Sequence, residues 1–129
     1  MTISKKSLGA IGEQLAIDFL KKNDYRIVCQ NYRCPFGEID IIALKKDVLS
    51  FIEVKTRRSE QFGHPQEAIH GRKQHHIAKV ALAFIQRYRL QDKKAQFDVV
   101  AVYITRDGHR IEFIQNAFDL PLHLEGVPY

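Results

Sequence analysis

The sequence has few cysteines and lacks long hydrophobic runs. Cys29 and Cys34 are the two cysteines of the chain, and they form neither a Cys-x-x-Cys motif nor a framework of four or more, so we expect reduced thiols that help packing. The longest apolar runs are far shorter than a membrane span. Glu13, Gln14 and Asp18 interrupt the N-terminal segment, which therefore does not resemble a signal peptide. These absences predict a cytoplasmic protein without membrane association.

The sequence also lacks the common motifs for zinc, nucleotides and base-specific DNA binding. The stretch GAIG at 9–12 lies inside a helical pattern and no Gly-Lys-Ser/Thr follows it, so it is not a phosphate loop. Neither a zinc finger nor a clear helix-turn-helix is present. Four histidines fit no zinc spacing, and surface or backbone-contact roles are expected for them: His64, His70, His75 and His76.

Composition and charge are those of a soluble globular domain with a basic surface. The chain has 129 residues, of which 45% are hydrophobic and 27% charged, which suits a single domain over residues 1–129 with one core. The formal net charge is +5 and the pI is about 9.3. This balance favours a polyanionic partner, either nucleic acid or an acidic surface, although many small proteins are equally basic.

Hydrophobic periodicity predicts two helices and five strands around one sheet. The helices are expected at 7–23 and from 66 or 70 to 88. The strands are expected at 25–32, 37–44, 48–57, 96–105 and 110–114, with turns at 34–37 and 107–108 and a loop at 60–65. The tail 116–129 is expected to be irregular. The order is α-β-β-β-α-β-β, so the fold class is α/β or α+β in layers around one sheet.

Three charged residues interrupt the most apolar part of the sequence, GEIDIIALKKDVLSFIEVKTRR at 37–58. A symmetric turn between Lys46 and Asp47 would place Asp40 opposite Glu53, and would place Glu38 opposite Lys55. Directly opposed carboxylates repel each other, and a divalent cation such as magnesium or manganese would offset the repulsion. The alternative is a solvated hairpin face whose charges form surface ion pairs.

Glu13 is a third acidic candidate. At about 100° per residue, it flanks the apolar stripe of the first helix, beside Gly9, Ala16 and Ile17. A carboxylate that points partly toward the sheet needs a partner. The alternative is an edge residue that reaches solvent along the helix surface.

Taken together, these residues resemble the PD-(D/E)xK nuclease superfamily, whose fold is that of restriction endonucleases. Its signature is an acid on one strand, an acid-x-lysine on the next and often a glutamate on the preceding helix. Asp40, Glu53-Val54-Lys55 and Glu13 match these positions. The αβββαβ core, a mixed central sheet flanked by helices, also fits, and the spacing is similar to that of archaeal Holliday junction resolvases.

More narrowly, the chain resembles the uncharacterised bacterial YraN family. Five stretches carry the resemblance and cover nearly the whole chain before the tail: GAIGEQLA (9–16), NYRCPFGEIDIIA (31–43), FIEVKTRR (51–58), FGHPQEAI (62–69) and QFDVVAV (96–102). Lys73 follows the fourth stretch. One departure from the superfamily pattern is Ile39, which stands where many members have proline before the first motif acid.

The resemblance implies a metal-dependent nuclease, with DNA favoured over RNA as its substrate and branched or otherwise structured DNA as one candidate. Asp40, Glu53 and the carbonyl of Val54 would hold Mg²⁺ or Mn²⁺, and Lys55 would orient the attacking water. Glu13 would bind a second ion, or the first through water. The implied cleavage is hydrolytic and leaves a 5′-phosphate. The competing hypotheses are a nucleic-acid-binding module without catalysis and a basic protein-interaction adaptor.

Further residues complete the predicted site. Lys73 is expected on the apolar stripe of the second helix near the site, with an ordinary first-turn lysine as the alternative. Glu38 is either an additional ligand or a partner of Lys55. Two copies of this fold often pair to cut both strands, so a homodimer is a further expectation. Basic residues expected to contact phosphates are Lys5, Lys6, Arg33, Arg57, Arg58 and Arg72.

Overall fold

The computed structural model describes residues 4–58 and 71–118. It contains two helices, α1 (Lys5–Lys22) and α2 (Gly71–Arg87). Five strands follow the predicted order: β1 (Arg26–Cys34), β2 (Gly37–Lys45), β3 (Val48–Arg57), β4 (Lys94–Thr105) and β5 (Gly108–Ile114). The predicted element order and the α+β class with a mixed sheet between helices are therefore confirmed, and the architecture is consistent with a restriction-endonuclease-like core.

The first helix begins where a serine can satisfy its free backbone donors. Ser4 is the N-cap, and its hydroxyl accepts a hydrogen bond of 3.1 Å from the backbone N–H of Ser7. At the other end, Lys21 and Lys22 lie in the last turn, where positive charge interacts favourably with the helix dipole. Asn23 ends the helix by donating its side-chain amide to the carbonyl of Phe19 at 2.8 Å.

The five strands form one mixed sheet in the order β1-β2-β3-β4-β5. Neighbouring strands are antiparallel except β3 and β4, which are parallel because α2 connects them. The β2–β3 hairpin has the predicted register, since its pairs run from Ile41–Ile52 to Lys45–Val48 around a turn at residues 46–47. Lys46 provides the positive φ of 55° that this turn requires.

The two helices cover opposite faces of the sheet. On one face, α1 buries Ala16, Ile17 and Leu20 against strand residues that include Ile41 and Ile52. On the other face, α2 buries a second group against Ile42 and Phe51. Because neighbouring residues of one strand serve different clusters, β2 and β3 are buried on both sides, which explains their nearly continuous hydrophobic sequence.

The structure corrects the predicted boundaries of two turns. The segment 34–37 was expected to be a turn, but Cys34 and Gly37 pair with each other as strand residues, so the turn is only two residues long. Likewise, Gly108 pairs with Thr105 and begins β5, with a φ of 150°. In both hairpins, backbone pairing continues up to the residues that flank a two-residue loop. Hydrophobic periodicity does not detect backbone pairing, so it placed these strand ends inside the turns.

Several other predictions have a clear structural outcome or lie outside the described residues. Cys29 and Cys34 are free thiols that pack against the cluster under α2, as expected. The loop at 60–65 and the tail beyond residue 118 lie outside the described residues. No helix of the described part of the chain has the length and hydropathy needed to cross a bilayer.

Candidate functional site

The side-chain alternation of two neighbouring strands breaks at the same level of the sheet. Ile39 and Ile42 are three residues apart, yet both contribute to the cluster under α2. The partner strand β1 shows the same break near Asn31, which has a φ of 52°. Asn31 lies between the pairs Gln30–Ile41 and Tyr32–Ile39, level with Asp40. The irregularity therefore gives Asp40 a position that regular alternation would not provide.

Asp40 lies where cavities on the two faces of the sheet meet. Its Oδ2 accepts a hydrogen bond of 2.8 Å from the backbone N–H of Val54 on β3. It lines a cavity of about 860 Å³ on the α1 side, together with Glu13, and a smaller one of about 230 Å³ on the α2 side, together with Glu53. Asp40 is therefore the carboxylate shared by both parts of the candidate site.

Glu53 and Lys55 lie on the part of β3 that continues past its ladder with β2. The last pair of that ladder is Ile41–Ile52, so Glu53 is the first β3 residue beyond it. Glu53 is only 9% exposed. Lys55 is two residues further along β3 and shares the same face. The predicted pair of Asp40 opposite Glu53 would follow Ile41–Ile52 in the same register, but it lies beyond the observed ladder and stays a prediction.

Glu13 projects from α1 toward the same end of the sheet. Its Oε1 accepts a hydrogen bond of 2.8 Å from the side-chain amide of Asn31. Burial raises the pKa of the Glu13 carboxyl, and the negative charges of Asp40 and Glu38 raise it further, while the hydrogen bond from Asn31 opposes the rise. Glu13 is thus close enough to Asp40 to sense its charge, although Glu13 and Glu53 line different cavities.

Glu38 and the basic residues are distributed unevenly around the site. Arg57 and Arg58 line the larger cavity with Glu13. Arg33 instead forms an ion pair of 2.8 Å with Glu38, in which both side chains are largely exposed. The pairs of the β2–β3 ladder stop before Glu38, so its predicted position opposite Lys55 falls beyond that ladder. Arg57 and Arg58 are therefore the arginines that the structure brings to the carboxylates.

The remaining predicted residues do not line either cavity or have side chains that the structure does not describe. Lys6 is exposed near the start of α1. Lys5, Arg72 and Lys73 belong to helices, but their side chains lie outside the described part of the structure. His64 and His70 lie outside the described residues altogether. Their predicted roles remain predictions.

The donor set fits a magnesium ion better than a zinc ion. Among residues 4–58 and 71–118, no three His, Cys, Asp or Glu side chains are grouped closely enough to hold a metal by themselves. Magnesium does not require such a cage, because it commonly binds through one or two carboxylates, with water and substrate phosphate oxygens as its other ligands. Asp40 and Glu53 provide two carboxylates in one cavity, and the carbonyl of Val54 would be a third oxygen donor.

Sequence reasoning missed three residues that the structure places at the site. Asn31 positions Glu13, and the only sequence signal was the tolerance of asparagine for positive φ. His76 is exposed and also lines the smaller cavity, whereas the sequence indicated a surface or backbone-contact role without placing it at the site. Phe36, in the β1–β2 turn, lines the same cavity, and no sequence pattern indicated it.

A second group of polar residues is buried away from the candidate site. Asp98 on β4 is 1% exposed, and its Oδ1 accepts hydrogen bonds from the side chain of Gln96 at 2.9 Å and from the backbone N–H of Asn116 at 3.0 Å. Burial raises the pKa of the Asp98 carboxyl, while these hydrogen bonds and nearby Ser50 lower it. Asp98 lines neither of the two site cavities.

Comparison with known proteins identifies the family. The family model described as "Uncharacterised protein family UPF0102" matches residues 12–102. The chain belongs to this family. The match spans the residues proposed above, from Glu13 through Lys55, and confirms the prediction that the chain is a member of the YraN family.

Relatives from several bacteria are similar over nearly their full lengths. A UPF0102 protein of Syntrophus aciditrophicus is 51% identical over 112 residues, which cover 87% of this chain and 88% of the relative. One from Caldicellulosiruptor saccharolyticus is 46% identical, covering 90% of this chain and all (100%) of the relative. A solved structure titled "Crystal structure of SSO0001" aligns at 20% identity with a TM-score of 0.37, covering 88% of this chain and 52% of the other. The relatives' names state no activity.

Proposed function

We propose that this protein is a metal-dependent nuclease that hydrolyses phosphodiester bonds in DNA. The observation that carries the proposal is that Asp40 and Glu53 line one cavity where the β2–β3 ladder ends, with Lys55 next on the same face of β3. Two carboxylates at close range repel each other unless a cation lies between them.

Each residue has a defined part in the proposed reaction. Asp40, Glu53 and the carbonyl of Val54 would hold magnesium, whose charge would polarise the phosphodiester and promote ionisation of water. Lys55 would orient the attacking water and balance negative charge on the phosphate. The attack would form a new P–O bond and break the bond to the 3′ oxygen, so that the products carry a 5′-phosphate and a 3′-hydroxyl.

The larger cavity supports binding of the DNA backbone beside the reacting phosphate. Arg57 and Arg58 line this cavity on the α1 side, and arginine is well suited to phosphate oxygens because its planar group donates two parallel hydrogen bonds. The net charge of +5 strengthens attraction to DNA at low salt. Such contacts fix the position of the backbone without reading the base sequence.

The test is a cleavage assay on labelled single-stranded, duplex, flap and four-way-junction DNA, with structured RNA as a comparison. Each substrate is incubated with magnesium, manganese or EDTA. We expect cutting only with a metal, and a loss of at least about 100-fold in Glu53→Gln and Lys55→Met. Asp107→Asn is the matched control, because it makes the same carboxylate-to-amide change on an exposed turn residue.

The outcomes separate the competing functions. Cutting that persists in Glu53→Gln and Lys55→Met would show a contaminating nuclease and remove support for the proposed site. Tight DNA binding without cutting under any metal would favour the non-catalytic binding module. Absence of both binding and cutting, together with no effect of magnesium on the melting temperature, would favour the protein-interaction adaptor.

A further inference from the structure

An exposed aromatic ring lies at the edge of the cavity that contains the proposed catalytic carboxylates. Phe36 occupies the second position of the two-residue β1–β2 turn, between the paired residues Cys34 and Gly37, and is 42% exposed. Turn positions favour glycine, asparagine, aspartate and serine. The turn itself therefore does not require a phenyl ring, and its exposure to water needs another explanation.

The turn faces α2, so that Phe36 and His76 line one cavity. A Cβ atom added to Gly37 would lie 3.5 Å from a methyl group of Val80, which shows that the turn packs against α2. The cavity of about 230 Å³ between them is lined by Phe36 from the turn and His76 from the helix, with Asp40 and Glu53 from the strands. Two planar rings thus line a cavity with three carboxylates, since Glu38 lines it too.

Comparison with another exposed aromatic residue shows that this position is unusual. Tyr88 is 51% exposed, but the centroid of its ring lies 4.7 Å from that of Phe84. The guanidinium carbon of Arg87 lies over the same ring, 5.6 Å from its centroid. Phe36 takes part in none of the ring pairs found among the described residues. Its 42% exposure leaves part of the ring accessible to a ligand.

We propose that Phe36 and His76 hold an unpaired nucleobase next to the phosphodiester that a metal ion on Asp40 and Glu53 would bind. The preferred substrate is then DNA with at least one nucleotide outside the duplex at the cleavage position. This inference rests on the proposed nuclease function and adds the class of substrate. In an intact duplex each base is already stacked on its neighbours, so only a base outside the stack reaches the two rings.

The proposal follows from the stacking properties of bases. Phenylalanine and histidine rings are common platforms for unstacked bases. Stacking on an aromatic side chain accepts any of the four bases, because each has a π face. The expected selectivity is therefore for DNA structure, with little dependence on sequence. This agrees with a surface on which arginines contact phosphates rather than base edges.

The test measures binding separately from cutting. A short duplex contains the fluorescent base 2-aminopurine either in a single-nucleotide bulge or fully paired. It is titrated with the full-length protein with calcium in place of magnesium, because calcium also binds carboxylate and phosphate oxygens. We expect quenching of the bulged base and about tenfold tighter binding of the bulged DNA. In Phe36→Leu and in His76→Gln, the quenching and the ratio of the two affinities should both fall.

Tyr88→Leu is the matched control, because it also replaces an exposed aromatic residue but leaves the cavity intact; it should retain the wild-type ratio. Melting temperatures of all variants verify folding, and Phe36 is exposed enough that leucine should be tolerated. Unchanged quenching and ratio in folded Phe36→Leu would overturn the proposal. Equal cutting of bulged and paired DNA by the wild type would also overturn it, while leaving the nuclease function intact.

The remaining outcomes distinguish this inference from the function on which it rests. Quenching that depends on Phe36, in a protein that cuts no DNA with any metal, would support the base clamp and refute hydrolysis. Failure to bind bulged or paired DNA would refute both. Bulge preference that depends on Tyr88 rather than Phe36 would place the base elsewhere and overturn the clamp.

Discussion

Gly12→Ala provides a sharp test of the packing of α1 on the sheet, with Gly9→Ala as a control in the same helix. A Cβ atom built on Gly12 would overlap the side chain of Thr56 on β3, approaching its Cγ2 to 2.7 Å and its Cβ to 2.8 Å. Rotation of the threonine cannot remove the contact with its own Cβ. The helix must therefore move away from β3 to accept the methyl group.

The expected magnitude follows from two opposing effects. Overpacking of a tight contact costs about 1–3 kcal/mol, whereas replacing a helical glycine by alanine contributes about 0.5–1 kcal/mol of stability. Gly12→Ala should therefore lose about 1–2 kcal/mol in the free energy of unfolding. Nothing lies within 4 Å of a Cβ built on Gly9, so Gly9→Ala should show only the gain. The two variants should differ by about 1.5–3 kcal/mol.

Urea denaturation followed by circular dichroism measures both free energies, and thermal melting gives an independent check. For a chain of this length, each kcal/mol lost in the free energy of unfolding lowers the melting temperature by roughly 4 °C. Because Gly12 precedes Glu13, displacement of the helix should also alter the distance between Glu13 and Asp40. A Gly12→Ala protein as stable as Gly9→Ala would refute the close helix–strand contact.

Three further predictions concern other parts of the molecule. Phe97→Ala should cost about 3–5 kcal/mol in urea unfolding, because Phe97 is 1% exposed and stacks on Phe51 and Phe118; a loss below 1 kcal/mol would contradict this packing. Burial raises the pKa of Asp98 above its ordinary value of 3.8, so the folded state binds this proton more tightly than the unfolded state. The free energy of unfolding of the wild type should therefore fall as pH rises from 3.8 through the folded-state pKa. Asp98→Asn should lack that loss, and parallel pH profiles for the two proteins would show that Asp98 does not titrate abnormally. Finally, Arg57→Ala should lower the slope of log K against log salt for DNA binding by about 1, whereas Arg106→Ala in an exposed turn should leave the slope unchanged.

The candidate site also shows how one local irregularity can organise several acids. Without the break in alternation at Asn31 and Asp40, the Asp40 side chain would belong to one face of the sheet only. With the break, Asp40 reaches the backbone N–H of Val54 and lines cavities on both faces. Glu13 and Glu53 line cavities on opposite faces of the sheet, and Asp40 lines both. This separation weakens the repulsion between the Glu13 and Glu53 carboxylates.

The sequence alone determined the element order, the layers and the hairpin register of this protein. The reason is that hydrophobic periodicity is a local property: strand alternation and helix spacing identify buried faces without knowledge of their partners. The pairing of β2 with β3 followed from the symmetric turn at Lys46 and Asp47, as the observed pairs show. Asp40, Glu53 and Lys55 could be grouped for the same reason, since a hairpin brings together residues that are close in sequence.

Only the tertiary structure decided how distant residues meet at the site. The positive φ of Asn31 and the break beside Asp40 depend on the pairing of β1 with β2. The approach of Gly12 to Thr56 depends on how α1 lies on the sheet. Phe36 and His76 share a cavity because the β1–β2 turn packs against a helix about 40 residues later in the chain. Such contacts depend on packing between elements, which the periodicity of any single element does not encode.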